Sequence, residues 1–419
     1  MDEQTARSLH QDSLVIDSHN DSIVALIRRG MSIDFTIFVF ALVIAALAVG
    51  LSACDESGSV LSSGETPQLE GLRGEIPIGA VLPITGKLAT VGLRMSQGIE
   101  LALEEINNSQ LSDVRIKFII EDDQTTVEGA VEAFNKLIHQ DGVSAILGPA
   151  SSSAGEEAFP IAQQNGVVAL SPTSGASGLS AIGDFIFRAS LTADVIIPNS
   201  VKVTHAKLGY QRVATIVDSV ELVSRSSDKV WREALAESGV EIMTREIFQS
   251  GDSDFSLLLT RIMALNPDAI FISALPTDMP NILIQARELG IPYSIPFIVA
   301  QVSIDEVLTA GAAAEGLITS ASWISTADTP GNQAFVQNYS AKYGVEPSIY
   351  AAQSYASAYI LAEAIANAQS TNSTAIRDAM ANLSDFDTVL GKFSFNDIGD
   401  TVYDPVMLIV ENGEFQAFE

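Results

Sequence analysis

Three places in the sequence hold residue types that could do chemistry. The first is Gly148-Pro149-Ala150-Ser151-Ser152-Ser153-Ala154-Gly155-Glu156. Ser153 and Glu156 have the S-x-x-E spacing of a capping box, which predicts a helix starting at this point. The first N–H groups of such a helix lack intrahelical partners and carry partial positive charge. With three serine hydroxyls beside them they suit a carboxylate or similar anion. The alternative is that the serines only cap the helix, and Glu156 and Glu157 in its first turn would compete with a bound anion. The second place is Cys54, the sole cysteine of 419 residues. It follows an apolar run, Ile33 to Ala53, whose polar residues are Asp34, Thr36 and Ser52. That run is long enough to enter a bilayer, and small residues ahead of a cleavage point mark secretory signals. The third is His19 with Asp21, spaced as a metal-ligand pair. One pair does not make a metal site, and His10, His139 and His205 stand in no ligand spacing to it, so no metal is expected.

The rest of the chain offers no catalytic constellation. There is no phosphate-binding G-x-x-x-x-G-K-[ST], no G-x-G-x-x-G after a strand and no G-x-S-x-G, and the four histidines are too scattered for Ser-His chemistry. A non-enzymatic protein without cofactor is expected. The net charge of −30 argues against a nucleic-acid partner and against electrostatic docking on anionic lipid. With 47% hydrophobic residues the chain can build a sizeable core, and after Cys54 it is long enough for two domains. No cysteine remains for a disulfide, so an exported body must be held by packing alone.

The elements that would position the serines follow a repeating pattern. Residues 54–75 are rich in Ser, Gly, Glu and Pro and read as a flexible tether. From Ile76 short apolar runs alternate with helical periodicity. Strands are predicted at Ile76–Leu82, Val114–Ile120, Ser144–Gly148, Val167–Leu170, Val213–Val217 and Ala269–Ile272. Helices carry Met95, Ile99, Ala102, Leu103 and Ile106, then Ala130 to Ile138, then Val230 to Leu235, then Pro280 to Leu289. Alternating βαβα predicts an α/β fold with parallel sheets covered on both faces, and two such runs predict two lobes. In these sheets ligands bind beyond the carboxyl ends of the strands. That singles out the loops after Leu82, Leu147, Leu170, Val217, Ile272 and Val299. The loop Ser171-Pro172-Thr173-Ser174-Gly175 has small residues that let backbone approach a ligand. Glu121-Asp122-Asp123 is read as a solvated strand end rather than a cation site.

Several resemblances add to this. Leu51-Ser52-Ala53-Cys54 resembles a bacterial lipobox, which implies removal of residues 31–53 as a signal and acylation of Cys54. Val15-Ile16-Asp17-Ser18-His19-Asn20-Asp21 faintly resembles the start of the zinc membrane dipeptidases. It covers about fifteen residues, so residues 1–30 are read as a non-native or fusion-derived extension. The body from Ile76 to Phe415 resembles the type I periplasmic binding proteins, in particular the branched-chain amino acid (Leu/Ile/Val) substrate-binding proteins of ABC transporters. The resemblance rests on Val81-Leu82-Pro83-Ile84-Thr85-Gly86, Glu121-Asp122-Asp123-Gln124, Gly148-Pro149 with Ser151-Ser152, Ser171-Pro172, Lys342-Tyr343-Gly344, Tyr350-Ala351-Ala352 and Gly391-Lys392-Phe393-Ser394-Phe395. No single motif is specific; their order and spacing are.

This resemblance implies two Rossmann-like, doubly wound lobes that close by a three-crossing hinge over a ligand. Lobe 1 would be 76–192 plus 323–397 and lobe 2 would be 193–322 plus 398–419, with crossings near Ala193, Ser322 and Asp397. The family's carboxylate-binding serine falls on Ser152, between Ser151 and Ser153. Its threonine falls on Gly175, so Ser174 or Thr173 would donate instead. Its pocket aromatics fall on Val91, on Leu222 or Val223, and on Leu275. Its ammonium-binding acid falls on Gln301, with Glu221 close by in sequence, and Tyr350 is retained. These departures point to a small solute with an anionic or amide head and an apolar tail. The implied partners are that solute, an ABC permease with its ATPase subunits, and the membrane through Cys54. The implied location is the periplasm or the outer face of the cytoplasmic membrane, as a monomer. A ligand-sensing receptor of the same fold is the alternative.

Overall fold

The computed structural model describes residues 72–108 and 114–418. The readings made for residues 1–71, Cys54, His19 and Asp21 among them, lie outside the described residues.

Two sheets organise the chain. The first runs from β1 (Gly74–Leu82) and β2 (Val114–Asp122) through β3 (Ala145–Leu147) and β4 (Val168–Ser171) to β5 (Ile186–Arg188), in the spatial order β2-β1-β3-β4-β5 and all parallel. β1 already begins at Gly74, two residues before the apolar run. Its side chains alternate as a strand requires. Ile76, Ile78, Ala80 and Leu82 face a core formed with α1 (Ala89–Asn108) and α10 (Ile349–Ala368). Val81 faces the opposite core with α2 (Val127–His139) and α3 (Ser152–Asn165).

The second sheet contains β6 (Arg212–Asp218), β7 (Glu241–Phe248), β8 (Ala269–Ser273), β9 (Phe297–Val299), β10 (Ile318–Ala321) and the hairpin β13 (Val406–Glu411) and β14 (Glu414–Ala417). Its order is β14-β13-β10-β9-β8-β6-β7, parallel except for the hairpin. Residues Asn412 and Gly413 at the hairpin tip both have positive φ, 54° and 78°, as a tight turn between right-twisted strands demands. Ile270 and Ile272 of β8 face α6 (Ser256–Leu265) and α7 (Met279–Glu288). Phe271 faces α4 (Ala193–Leu208) and α5 (Leu222–Glu237), where it meets Tyr210 and Trp231.

The five parallel strands of each sheet are wound alike: the second strand lies on one side of the first, and the third, fourth and fifth follow on the other. A topological switch point thus falls between β1 and β3 in one lobe and between β6 and β8 in the other. The chain passes between lobes three times. The first passage enters α4 at Ala193. The second leaves β10 at Ala321 towards α9 (Asn332–Tyr343) and α10.

The third passage is not at Asp397. Arg188 is fully buried and donates to Asp400 Oδ1 from Nε at 2.9 Å and from Nη2 at 2.6 Å. Backbone Arg188 N–H also bonds Gly399 O. Residues 396–401 therefore stay with the first sheet, following the small hairpin of β11 (Phe386–Thr388) and β12 (Gly391–Phe393), and the crossing lies between Thr401 and Val406.

Candidate functional site

Both sheets aim the carboxyl ends of their strands at one cleft. It holds a cavity of about 120 Å³ lined by Leu88, Val91, Ala150, Ser151, Ser152, Thr173 and Tyr350 from one side and by Val223, Ser224, Ser227, residues 272–276, Met279, Ala300 and Gln301 from the other. Five of the six loops expected from the strand ends contribute lining residues, and the loop after β6 leads into α5, whose first turns line the cavity. The cleft is shut across its rim. Ser153 Oγ donates to Glu221 Oε2 at 2.8 Å, Ser177 N donates to Ser226 Oγ at 3.0 Å, and Arg94 pairs with Asp305 of α8 (Ile304–Ala310).

The serine loop is built by one close contact and one helix cap. Gly148 has φ of +119°, and a Cβ there would lie 2.1 Å from Val81 O, so only glycine lets β3 turn this tightly against β1. The helix that follows is capped by Ser151, not Ser153: Ser151 is extended (φ −76°, ψ 138°) and its Oγ accepts from Ala154 N at 3.3 Å. Helix α3 then starts at Ser152, which places Glu156 and Glu157 beyond its first turn. The S-x-x-E pattern misleads because the strand end sets where the helix can begin, which puts its cap at Ser151, two residues ahead of Ser153.

The three serines have separate tasks. Ser151 and Ser152 line the cavity, and Ser152 Oγ accepts from Ala176 N at 3.1 Å. Ser153 turns to the second lobe, where it also accepts from Leu222 N at 2.9 Å.

The loop after β4 is tied down on every side. Ser171 Oγ donates to Pro149 O at 2.6 Å and accepts from Ser174 N. Thr173 Oγ1 donates to Ala150 O at 3.1 Å and lines the cavity. Ser174 is buried with its carbonyl taken by Ser190 Oγ, and Gly175 O accepts from Ala193 N. Neither Ser174 nor Gly175 lines the cavity, and Leu222 does not either, whereas Val223 does. Val91, Leu275, Gln301 and Tyr350 all reach it. Burial, with Glu306 and Asp305 nearby, holds the Tyr350 hydroxyl well above the usual phenol range, so it stays neutral.

Sequence reasoning missed several lining residues, among them Ser273 at the end of β8 and Ser224 and Ser227 on α5. The last two matter most here. They open the buried stripe of α5, one turn apart, ahead of Trp231 and Leu235. A stripe that changes from large apolar residues to hydroxyls at the strand-end terminus is a legible signal. Asp122 and Asp123 are absorbed by their own loop, where Asp122 accepts from Thr85 and Gln124 and Asp123 accepts from Thr125 N. Glu121 pairs with Lys136.

Two doubly wound lobes closing on a polar-headed, apolar-walled cavity match one family along nearly the whole described chain: the periplasmic binding protein model aligns with residues 75–410. The chain belongs to this family. It is a type I periplasmic binding protein of the branched-chain amino acid group, an extracytoplasmic solute-binding protein and not an enzyme. The leucine-, isoleucine-, valine-, threonine- and alanine-binding protein of Pseudomonas aeruginosa is 24% identical over 348 residues, 82% of this chain and 89% of that one. The Streptococcus pneumoniae branched-chain amino acid transporter substrate-binding protein, solved with isoleucine, is 29% identical with a TM-score of 0.77 over 82% of this chain and 98% of that one. The leucine-binding protein of Thermotoga maritima is 27% identical with a TM-score of 0.76 over the same shares.

Proposed function

We propose that this chain is the substrate-binding lipoprotein of an ABC importer. It would hold a small solute with an anionic or amide head and an apolar tail between its lobes and hand it to a permease driven by ATPase subunits. The observation that carries this is the amino end of α3 opening on the cavity: the N–H groups of Ser152 and Ser153 precede the first intrahelical bond, which Gly155 N makes to Ser151 O. Such groups favour negative charge. Thr173, Gln301 and Tyr350 supply further polar contacts, and Val91, Leu275 and Val223 supply apolar walls. Anchorage through Cys54 rests on the apolar run before it and on the Leu51-Ser52-Ala53-Cys54 pattern.

Native mass spectrometry of the purified protein, followed by calorimetry with the recovered solute, tests this. A bound small acid or amide is expected, with its affinity about tenfold lower in Ser151→Ala or Ser152→Ala, near the 1.4 kcal/mol of one good hydrogen bond. Failure to recover any solute, or affinity indifferent to both changes, counts against it.

A further inference from the structure

We infer that the solute is an apolar monocarboxylate that carries no ammonium group, an acid of leucine size or smaller rather than the amino acid itself. This rests on the solute-binding reading above and narrows it.

Among the described residues no carboxylate and no basic side chain lines the cavity, and the one titratable group that does, the Tyr350 hydroxyl, is held neutral. An ammonium entering it would lose its water and gain no opposite charge, which is strongly unfavourable. The nearby acids do not stand in for one: Asp305 is held by Arg94, and Glu306, near Tyr350, accepts from Ser303 N and lies outside the lining. Glu221 sits at the rim and accepts from Ser153 Oγ. Asp278 faces Lys87 and Gly251 outside the lining.

The backbone around the cavity adds field of one sign. Besides α3 from the first lobe, α5 of the second lobe begins at the cavity, with Val223 and Ser224 in the lining; its N-cap residue Glu221 makes no side-chain cap, and Ser153 Oγ takes only the Leu222 N–H. Its first intrahelical bond is Arg225 N to Glu221 O, so the N–H groups of Val223 and Ser224 come before it. Two positive helix ends on opposite walls attract an anion and repel a cation. An independent observation marks the second wall as a contact point. Ser224 is 1% exposed, lines the cavity, and its Oγ has no hydrogen-bond partner among the described residues. Buried hydroxyls seldom stay unpaired, and an oxygen on the solute would complete it. The size agrees as well: about 120 Å³ is close to the roughly 150 Å³ apolar cavity that accepts benzene.

Titration calorimetry on the full chain, freed of any co-purified solute, should compare leucine with 4-methyl-2-oxopentanoate and 4-methylpentanoate. At least tenfold tighter binding of either acid than of leucine is the expected result. Gln301→Glu, which adds the missing negative charge, is expected to weaken the acids at least tenfold and to narrow or reverse their lead over leucine. Leucine bound as tightly as the acids by the unaltered protein overturns this inference and leaves the solute-binding reading standing. If none of the three binds at millimolar concentration the inference falls, and if native mass spectrometry also recovers no solute the broader reading falls with it.

Discussion

Arg94 and Asp305 form a two-bond ion pair across the cleft. Nε lies 3.0 Å from Oδ2 and Nη2 lies 2.6 Å from Oδ1. One residue is on α1 of the first lobe and the other on α8 of the second, and each side chain is only 13% exposed. A bidentate guanidinium–carboxylate pair fixes orientation as well as distance, and this one joins the two lobes. We expect Asp305→Asn to weaken solute binding by about five- to thirtyfold, the equivalent of roughly 1–2 kcal/mol of closed-state preference. Small-angle scattering of the solute-free variant should show a larger radius of gyration than the unaltered protein, and saturating solute should remove the difference. Equal affinity and equal scattering in both proteins would mean that the pair merely tolerates closure.

Helices α1 and α10 owe their contact to one missing side chain. A Cβ on Gly98 would lie 2.2 Å from the carbonyl oxygen of Ala351 and 3.0 Å from its carbon. Both are backbone atoms and cannot rotate away. Gly98→Ala should therefore separate the two helices over which the main core of the first lobe is packed, and cost about 2–4 kcal/mol despite the better helix propensity of alanine. Urea unfolding would register this as a lower midpoint with an unchanged slope. A midpoint within experimental error of the unaltered protein would show that α10 can yield.

The parts of the site that are legible in the sequence are those fixed by local chain direction. A buried parallel strand announces itself as an unbroken apolar run, and its carboxyl end must face the ligand side. The loops after β1, β3, β4, β6, β8 and β9 follow from those runs alone. Elements decided by distant contacts are not legible in this way. β5 is three residues long and is placed by Ala169, Leu170 and Ser171 beside it. β7 lies at the sheet edge, and Glu241 and the consecutive Thr244, Arg245 and Glu246 break up its apolar residues, so no run marks it. The third crossing is misplaced by sequence because Asp400 is held by Arg188, 212 residues away, and nothing local records that pair. Ser153 takes the capping role on spacing because three adjacent serines are equivalent until the end of β3 ranks them. Ser224 escapes because a hydroxyl at the start of a helix ordinarily reads as a cap.

Asp123 gives the fold a pH dependence of definite sign. It is 1% exposed just past the end of β2, and its carboxyl is pushed up from 3.8 to about 6. Burial is the main cause. The bond from Thr125 N at 2.8 Å opposes it, and the neighbouring Asp122 charge adds to it. An acid whose folded value lies above its unfolded one favours the protonated fold. Its stabilising contribution is complete below about pH 4 and is lost as the pH rises through about 6. Asparagine keeps the oxygen that accepts from Thr125 N and never ionises. Asp123→Asn should therefore raise stability at pH 7.5 by about 1–3 kcal/mol, since a tenfold change in proton affinity between the folded and unfolded chain corresponds to about 1.4 kcal/mol, and should change little at pH 4. Urea midpoints at the two pH values decide the matter. A variant less stable at pH 7.5 would mean that the carboxylate is ionised there and that its charge is compensated by the fold.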